Sequence, residues 1–312
     1  MTARIKVEVS KIGTFTGHRD SLYTIEPSGE QNHFFASGGD RMVVEWNLLK
    51  PNHGKLIART ENTIYALCFL SEKNQLLVGE NTAGIHLIDV NSQAKVNSTK
   101  ITEDAVFDIK HKAGKVFVAL GDGEVVVLEV ENLTTLKRLK HSSASARCIA
   151  LHPNKPEFVV GYSDHSFRIF STETFELLYE TVGHSNSIFT VNYSPDGKFL
   201  LSGSRDAHLK IWNAATGYEL YEDIVAHMFT INHITYSTDG RYFATGSKDK
   251  TIKIWDAKRF KLLKVIDKAR HGGHNTSVNK LHWADQNLLI SVSDDRSISV
   301  WNLAFDVPES LL

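Results

Sequence analysis

Residues 183–221, GHSNSIFTVNYSPDGKFLLSGSRDAHLKIWNAATGYELY, hold four strand-like runs separated by three turns. Apolar side chains alternate along Ile188-Phe189-Thr190-Val191-Asn192-Tyr193, the period of a half-buried strand. Ser194-Pro195-Asp196-Gly197 ends that run with residues suited to a turn: Pro fixes φ, Asp bonds its own backbone and Gly accepts positive φ. Lys198-Phe199-Leu200-Leu201-Ser202-Gly203 is a second strand, Ser204-Arg205-Asp206 a second turn, and His208-Leu209-Lys210-Ile211-Trp212 a third strand. Thr216-Gly217 then turns the chain into a fourth strand around Tyr218 to Tyr221. Turns this short join antiparallel neighbours, so the stretch predicts one four-stranded antiparallel sheet.

The close of the third strand recurs along the whole chain, at Trp46-Asn47, Ile88-Asp89, Leu128-Glu129, Phe170-Ser171, Trp212-Asn213, Trp255-Asp256 and Trp301-Asn302. Successive intervals are 42, 40, 42, 42, 43 and 46 residues. A repeat of four strands at this period is the signature of an all-β propeller, here with seven blades. A length of 312 residues would suggest two domains, but each repeat buries its face on the next and needs no second core. The chain therefore reads as a single domain over 1–312. Blades one to seven occupy 16–303 and a short tail 304–312 follows. The last third strand ends at Trp301 with no outer strand after it, whereas Lys6 to Phe15 reads as a strand ahead of the first repeat. The expectation is that residues 6–15 supply the outer strand of blade seven and close the ring, which removes an open edge.

Several motifs carry a family resemblance. Gly-His precedes the first strand, an Asp stands six residues ahead of the third-strand end, and Trp-Asp or Trp-Asn closes that strand. Counting back six gives Asp40, Thr82, Asp122, Asp164, Asp206, Asp249 and Asp295. In these features the chain resembles the WD40-repeat β-propellers over essentially its whole length. The resemblance implies a structural tetrad in which Trp N–H, a Ser or Thr hydroxyl, His and Asp hydrogen-bond in series, satisfying a buried indole. Matching sets are His184, Ser202, Asp206 and Trp212; His227, Thr245, Asp249 and Trp255; His274, Ser291, Asp295 and Trp301. Blade one offers His18, Ser37, Asp40 and Trp46, with a second turn that reads one residue shorter. Blades two to four depart from the pattern, with Thr60, Thr102 and Ser142 where His is expected. Recurrence at one spacing argues against a hydrolytic triad, which is assembled once from distant positions.

The resemblance also implies which side chains overlook the mouth of the central channel. They are the residues after the first apolar position of each inner strand: Tyr23, Tyr65, Phe107, Arg147, Phe189, Asn232 and Asn279. The rim residues before the turn Asp include Arg205, Lys248 and Asp294. Aromatic and Arg side chains dominate binding hot spots, so this face is the expected site for a partner peptide or loop. The alternative is a propeller enzyme with its active site at the mouth, which would need several convergent carboxylates or histidines. Nucleic-acid binding is a weaker alternative: 35 basic and 36 acidic residues give a formal charge of −1 and leave no basic footprint. The run Lys137-Arg138-Leu139-Lys140-His141 reads as a solvated strand edge.

Phosphate loops, dinucleotide fingerprints, Gly-x-Ser-x-Gly and zinc-spaced Cys/His clusters do not occur among the motifs, so no cofactor and no metal are expected. Cys68 and Cys148 lie on inner strands two blades apart and read as free buried thiols. Residues 1–15 have no apolar core of the signal-peptide kind, and no run approaches 18 apolar residues. The combined expectation is a cytoplasmic, noncatalytic protein-interaction scaffold that is a single ring on its own.

Overall fold

In the computed structural model, which describes residues 5–308, seven four-stranded antiparallel sheets stand in a ring. Six blades take their strands consecutively from the chain. The seventh orders as Lys6–Phe15, Ile298–Asp306, Leu288–Ser293 and Val278–Asp285, so the N-terminal strand is its outer strand. Lys6 pairs with Asp306 and Phe15 with Ile298. The expected closure is therefore the observed one. The boundary at 304 needs correction, because Ala304, Phe305 and Asp306 continue the third strand opposite Glu8, Val7 and Lys6. These residues carry little alternation of their own. Their strand exists because the N-terminus presents a free edge, and Phe305 stacks on Tyr242 of blade six at 3.8 Å between ring centroids.

The core lies between blades. Seven clusters of buried apolar side chains occupy the seven seams, for example Cys148, Val159 and Phe167 of blade four against Ile188, Leu200 and Trp212 of blade five. Phe15, Ile290 and Val300 of blade seven pack on Leu22, Phe34 and Trp46 of blade one in the same way. No blade buries both of its faces alone, which is why the repeat needs a closed ring. Gly203 marks how closely neighbours approach: a Cβ there would lie 2.7 Å from Ile231 Cγ2 of the next blade. The long interval before Trp301 is taken up by a single helical turn, Lys268–His271, capped by Asp267 and Gly272. Lys11 of the closing strand donates to Gly272 O at 3.0 Å and pins that turn.

Every inner strand carries the same irregularity. Register shifts between the first and third residues at Leu22/Thr24, Ile64/Ala66, Val106/Asp108 and Ala146/Cys148. It also shifts at Ile188/Thr190, Ile231/His233 and Val278/Lys280. Such a bulge leaves the second residue unpaired and re-aims its side chain. Seven bulges at one level turn seven side chains toward the channel mouth.

Candidate functional site

Three tetrads are complete. In blade five Trp212 Nε1–H donates to Ser202 Oγ at 2.8 Å, the hydroxyl meets His184 Nε2 at 2.7 Å, and Nδ1 lies 2.9 Å from Asp206 Oδ2. Blade six repeats this through Trp255, Thr245, His227 and Asp249 at 3.0, 2.7 and 2.8 Å. Blade seven uses Trp301, Ser291, His274 and Asp295 at 2.9, 2.8 and 3.1 Å. Burial pulls the pKa of His184 and His227 below the ordinary value against their Asp partners. Burial also opposes charge on Asp206, but His184 and the His208 and Ser185 N–H groups outweigh it and hold the carboxyl well below the usual range.

Blade one differs from its expected tetrad. His18 Nδ1 meets Asp40 Oδ2 at 2.7 Å, but Ser37 Oγ donates to the Met42 carbonyl at 2.8 Å. His18 Nε2 and Trp46 Nε1 are both buried without a partner among the described residues. Register gives the reason. Ser202 pairs with Lys210 two places before Leu200 pairs with Trp212, and the residue in that place in blade one is Ala36, opposite Val44, with Phe34 opposite Trp46. Ser37 instead takes the place of Gly203 on the other face of the strand, because a shift of one residue inverts the side chain. The turn is not shorter; the hydroxyl is one residue late.

Blades without the Trp are clamped differently. In blade two the buried Glu80 accepts from the N–H groups of Glu61 and Asn62 at 3.0 and 2.9 Å and meets His86 Nε2 at 2.7 Å. In blade four Asp164 accepts from Ser142 Oγ, in the expected His position, at 2.7 Å and from the buried Arg168 at 3.0 Å. Arg168 also pairs with Glu180 at 2.6 Å.

The seven expected mouth residues line one cavity of about 580 Å³. Tyr23, Tyr65 and Phe107 follow one another at centroid separations of 4.7 and 5.6 Å. The Arg147 guanidinium then lies between Phe107 and Phe189, 4.4 and 4.9 Å from their centroids, and donates through Nε to Ser163 Oγ at 2.9 Å. Cation–π contact on two faces holds this Arg in one orientation. Five side chains thus make a continuous arc over blades one to five.

Asn232 and Asn279 have a different job. Asn232 Nδ2 donates to Val278 O at 2.9 Å, and Asn279 Nδ2 donates to Leu22 O at 2.8 Å and Asp294 Oδ1 at 2.7 Å. These amides stitch the seams of blades six, seven and one. Arg205 and Lys248 are exposed.

A deeper ring of charge escaped the sequence reading. Asp108, Lys110, His233 and Lys280 line the same cavity, and Glu26 is in the same network. Asp108 accepts from Lys110 Nζ at 3.1 Å and, across the seam, from Ile149 N–H at 2.9 Å. Glu26 accepts from Phe69 N–H at 3.0 Å, and His233 Nδ1 from Leu281 N–H at 3.3 Å. Inner strands leave one backbone edge facing the channel, and these side chains satisfy it. Burial raises the Glu26 pKa despite Lys110, while burial lowers that of Lys280 despite Asp108. The signal was present as charged residues inside apolar strands, but the bulge, invisible in sequence, decides that they face inward. Among the described residues no three His, Cys, Asp or Glu groups are placed to hold a metal ion, and no helix is long and apolar enough to cross a membrane.

A ring of seven bulged four-stranded blades, three of them bound by complete Trp–Ser/Thr–His–Asp tetrads, defines a WD-repeat propeller. The family's sequence model, described as "WD domain, G-beta repeat", matches residues 9–47, 133–171, 175–213, 219–256 and 264–302, and the chain belongs to that WD40 family. The matched segments begin near an outer strand and end at the next third strand, and they include blade four despite its Phe170. Among curated proteins the chain is similar to striatin-3 of Bos taurus, with 24% identity over 234 residues, covering 66% of this chain and 29% of striatin-3. Striatin of Homo sapiens is 22% identical over 232 residues, covering 66% and 30%. The serine-threonine kinase receptor-associated protein of Gallus gallus is 23% identical over 201 residues, covering 64% of this chain and 57% of that protein. The match spans under a third of the length of the striatins.

Proposed function

We propose that this chain is a noncatalytic interaction scaffold that binds a peptide or loop of one or more partner proteins on the face at the channel mouth. The observation that carries this is the continuous arc of Tyr23, Tyr65, Phe107, Arg147 and Phe189 around an open cavity. Rigid aromatic groups contribute contact area at low entropic cost, and the fixed guanidinium adds a directional donor. The name of the receptor-associated relative, which describes an association with another protein, agrees with this reading. A noncatalytic role is supported by the channel interior, where Asp108, Glu26 and His233 are engaged by backbone N–H groups. The ring works in the cytoplasm, without a cofactor, as a single copy.

The test is affinity purification from the native cell with wild-type protein and with a Tyr65→Ala, Phe189→Ala double variant. Both side chains are partly exposed at the mouth, so the ring is expected to stay folded while partner recovery is lost. Unchanged recovery with the double variant would rule out the mouth as the site.

A further inference from the structure

Charge is segregated around the mouth. Arg147, Arg205 and Lys248 stand on blades four, five and six; Arg147 donates to the neutral Ser163 Oγ, Arg205 and Lys248 are exposed, and the ion pairs of these blades among the described residues use other cations. Burial, reinforced by neighbouring Arg205, works against the charge on Arg147, and a guanidinium that cannot shed its proton is left seeking an anion. On the opposite side Asp294 and Asp20 both act on Tyr23, whose pKa burial first of all raises.

Beside Lys248 lies an apolar landing. The loop entering blade six carries Met228 and Phe229, 82% and 57% exposed. Arg19-Asp20, Ser185-Asn186 and Asn275-Thr276 occupy the same place in the other tetrad-type blades. The loop is held rigidly. Met228 N–H donates to Asp249 Oδ2 at 3.1 Å, Ser247 Oγ donates to Phe229 O at 3.3 Å, and Lys248 N–H donates to Thr230 O at 2.9 Å. A fixed backbone that presents two large apolar side chains to water marks a contact surface rather than a packing accident.

We propose that the segment bound on this face is an acidic peptide with an apolar residue beside its carboxylates. The carboxylates lie against Arg147, Arg205 and Lys248, and the apolar side chain covers Met228 and Phe229. This rests on the reading of the mouth as the partner site and adds the chemistry of what it takes. A peptide fits better than a nucleic acid because Asp20 and Asp294 share the face and because the Met228–Phe229 landing asks for an apolar side chain.

The test selects a random displayed peptide library on the immobilised protein and measures the best fluorescent peptides by anisotropy, beside a fluorescent oligothymidylate. The variants are Arg205→Glu with Lys248→Glu, Met228→Ser with Phe229→Ser, and Tyr65→Ala with Phe189→Ala. The expected result is a selected consensus with Asp or Glu next to an apolar residue. The charge reversal and the loop variant each weaken binding about tenfold or more, with melting temperatures unchanged at these exposed sites. Neutral or basic selected peptides, no selected peptide, or affinity indifferent to the charge reversal overturns the inference. If Tyr65→Ala with Phe189→Ala still abolishes binding in such a case, the mouth stands as the site and only its acidic specificity falls. If that variant also binds normally, both readings fall. Tighter binding of the oligothymidylate than of any peptide overturns the inference in favour of nucleic acid.

Discussion

Replacing Ala36 with Ser should stabilise this protein. Ala36 occupies the tetrad hydroxyl position of blade one, and two buried groups, His18 Nε2 and Trp46 Nε1, wait there without partners among the described residues. The remaining link, His18 to Asp40 at 2.7 Å, is already formed. A Ser Oγ would accept from Trp46 and donate to His18, as Ser202 does between Trp212 and His184. Two neutral hydrogen bonds contribute about 0.5–1.5 kcal/mol each, so the gain is roughly 1–3 kcal/mol. For a ring of this size that raises the melting temperature by about 2–6 °C. The assay is thermal unfolding by circular dichroism with a matching urea midpoint, repeated in a Trp46→Phe background. There the hydroxyl has lost one partner, and a double-mutant cycle should show about half the gain. An Ala36→Ser protein that melts at or below the wild-type temperature refutes the reasoning. Ser202→Ala is the mirror experiment: it orphans Trp212 Nε1 and His184 Nε2 and should cost about 2–4 kcal/mol.

Deleting residues 1–15 strips the outer strand from blade seven together with buried Val7 and Phe15. Those side chains alone account for roughly 4–6 kcal/mol, so melting should fall by about 10 °C or more; an unchanged value contradicts the closure. Glu80→Ala leaves the Glu61 and Asn62 N–H groups and His86 without their acceptor and should cost about 2 kcal/mol, measured by urea unfolding. Stability should also fall with pH. Burial lowers the pKa of His184 and His227 and takes that of His282 from 6.5 to about 4. The unfolded chain therefore binds protons first as pH drops below about 6.5. The contributions of Asp206, Asp249 and Asp295, also depressed in the fold, are intact above the ordinary value of 3.8 and are lost below it. A urea midpoint that stays flat from pH 7 to about 4.5 would contradict this sign.

Much of the ring is legible because propeller strands are short and local. Pro195-Asp196-Gly197 and Thr216-Gly217 specify turns from their own backbone preferences, and alternation between them specifies strands. The missing outer strand of blade seven could be found by subtraction, since Lys6 to Phe15 was a strand without a blade. Ser37 shows the limit. From spacing it fits a tetrad; in register it faces the other way, and only the pairing of Phe34 with Trp46 reveals that Ala36 holds the place.

The sequence by itself determined the number of blades and the order of strands, because both follow from a local period repeated seven times, and its family resemblance implied which side chains could stand at the channel mouth. The tertiary structure alone decided how those side chains are used. The bulge in every inner strand brings Asp108, Lys110, His233 and Lys280 into the cavity. Close approach of neighbouring blades spends Asn232 and Asn279 on seams and leaves Arg147 clasped between two rings. Those outcomes depend on distances between residues about 40 to 260 positions apart, and packing between blades sets such distances, not the local alternation that builds each blade.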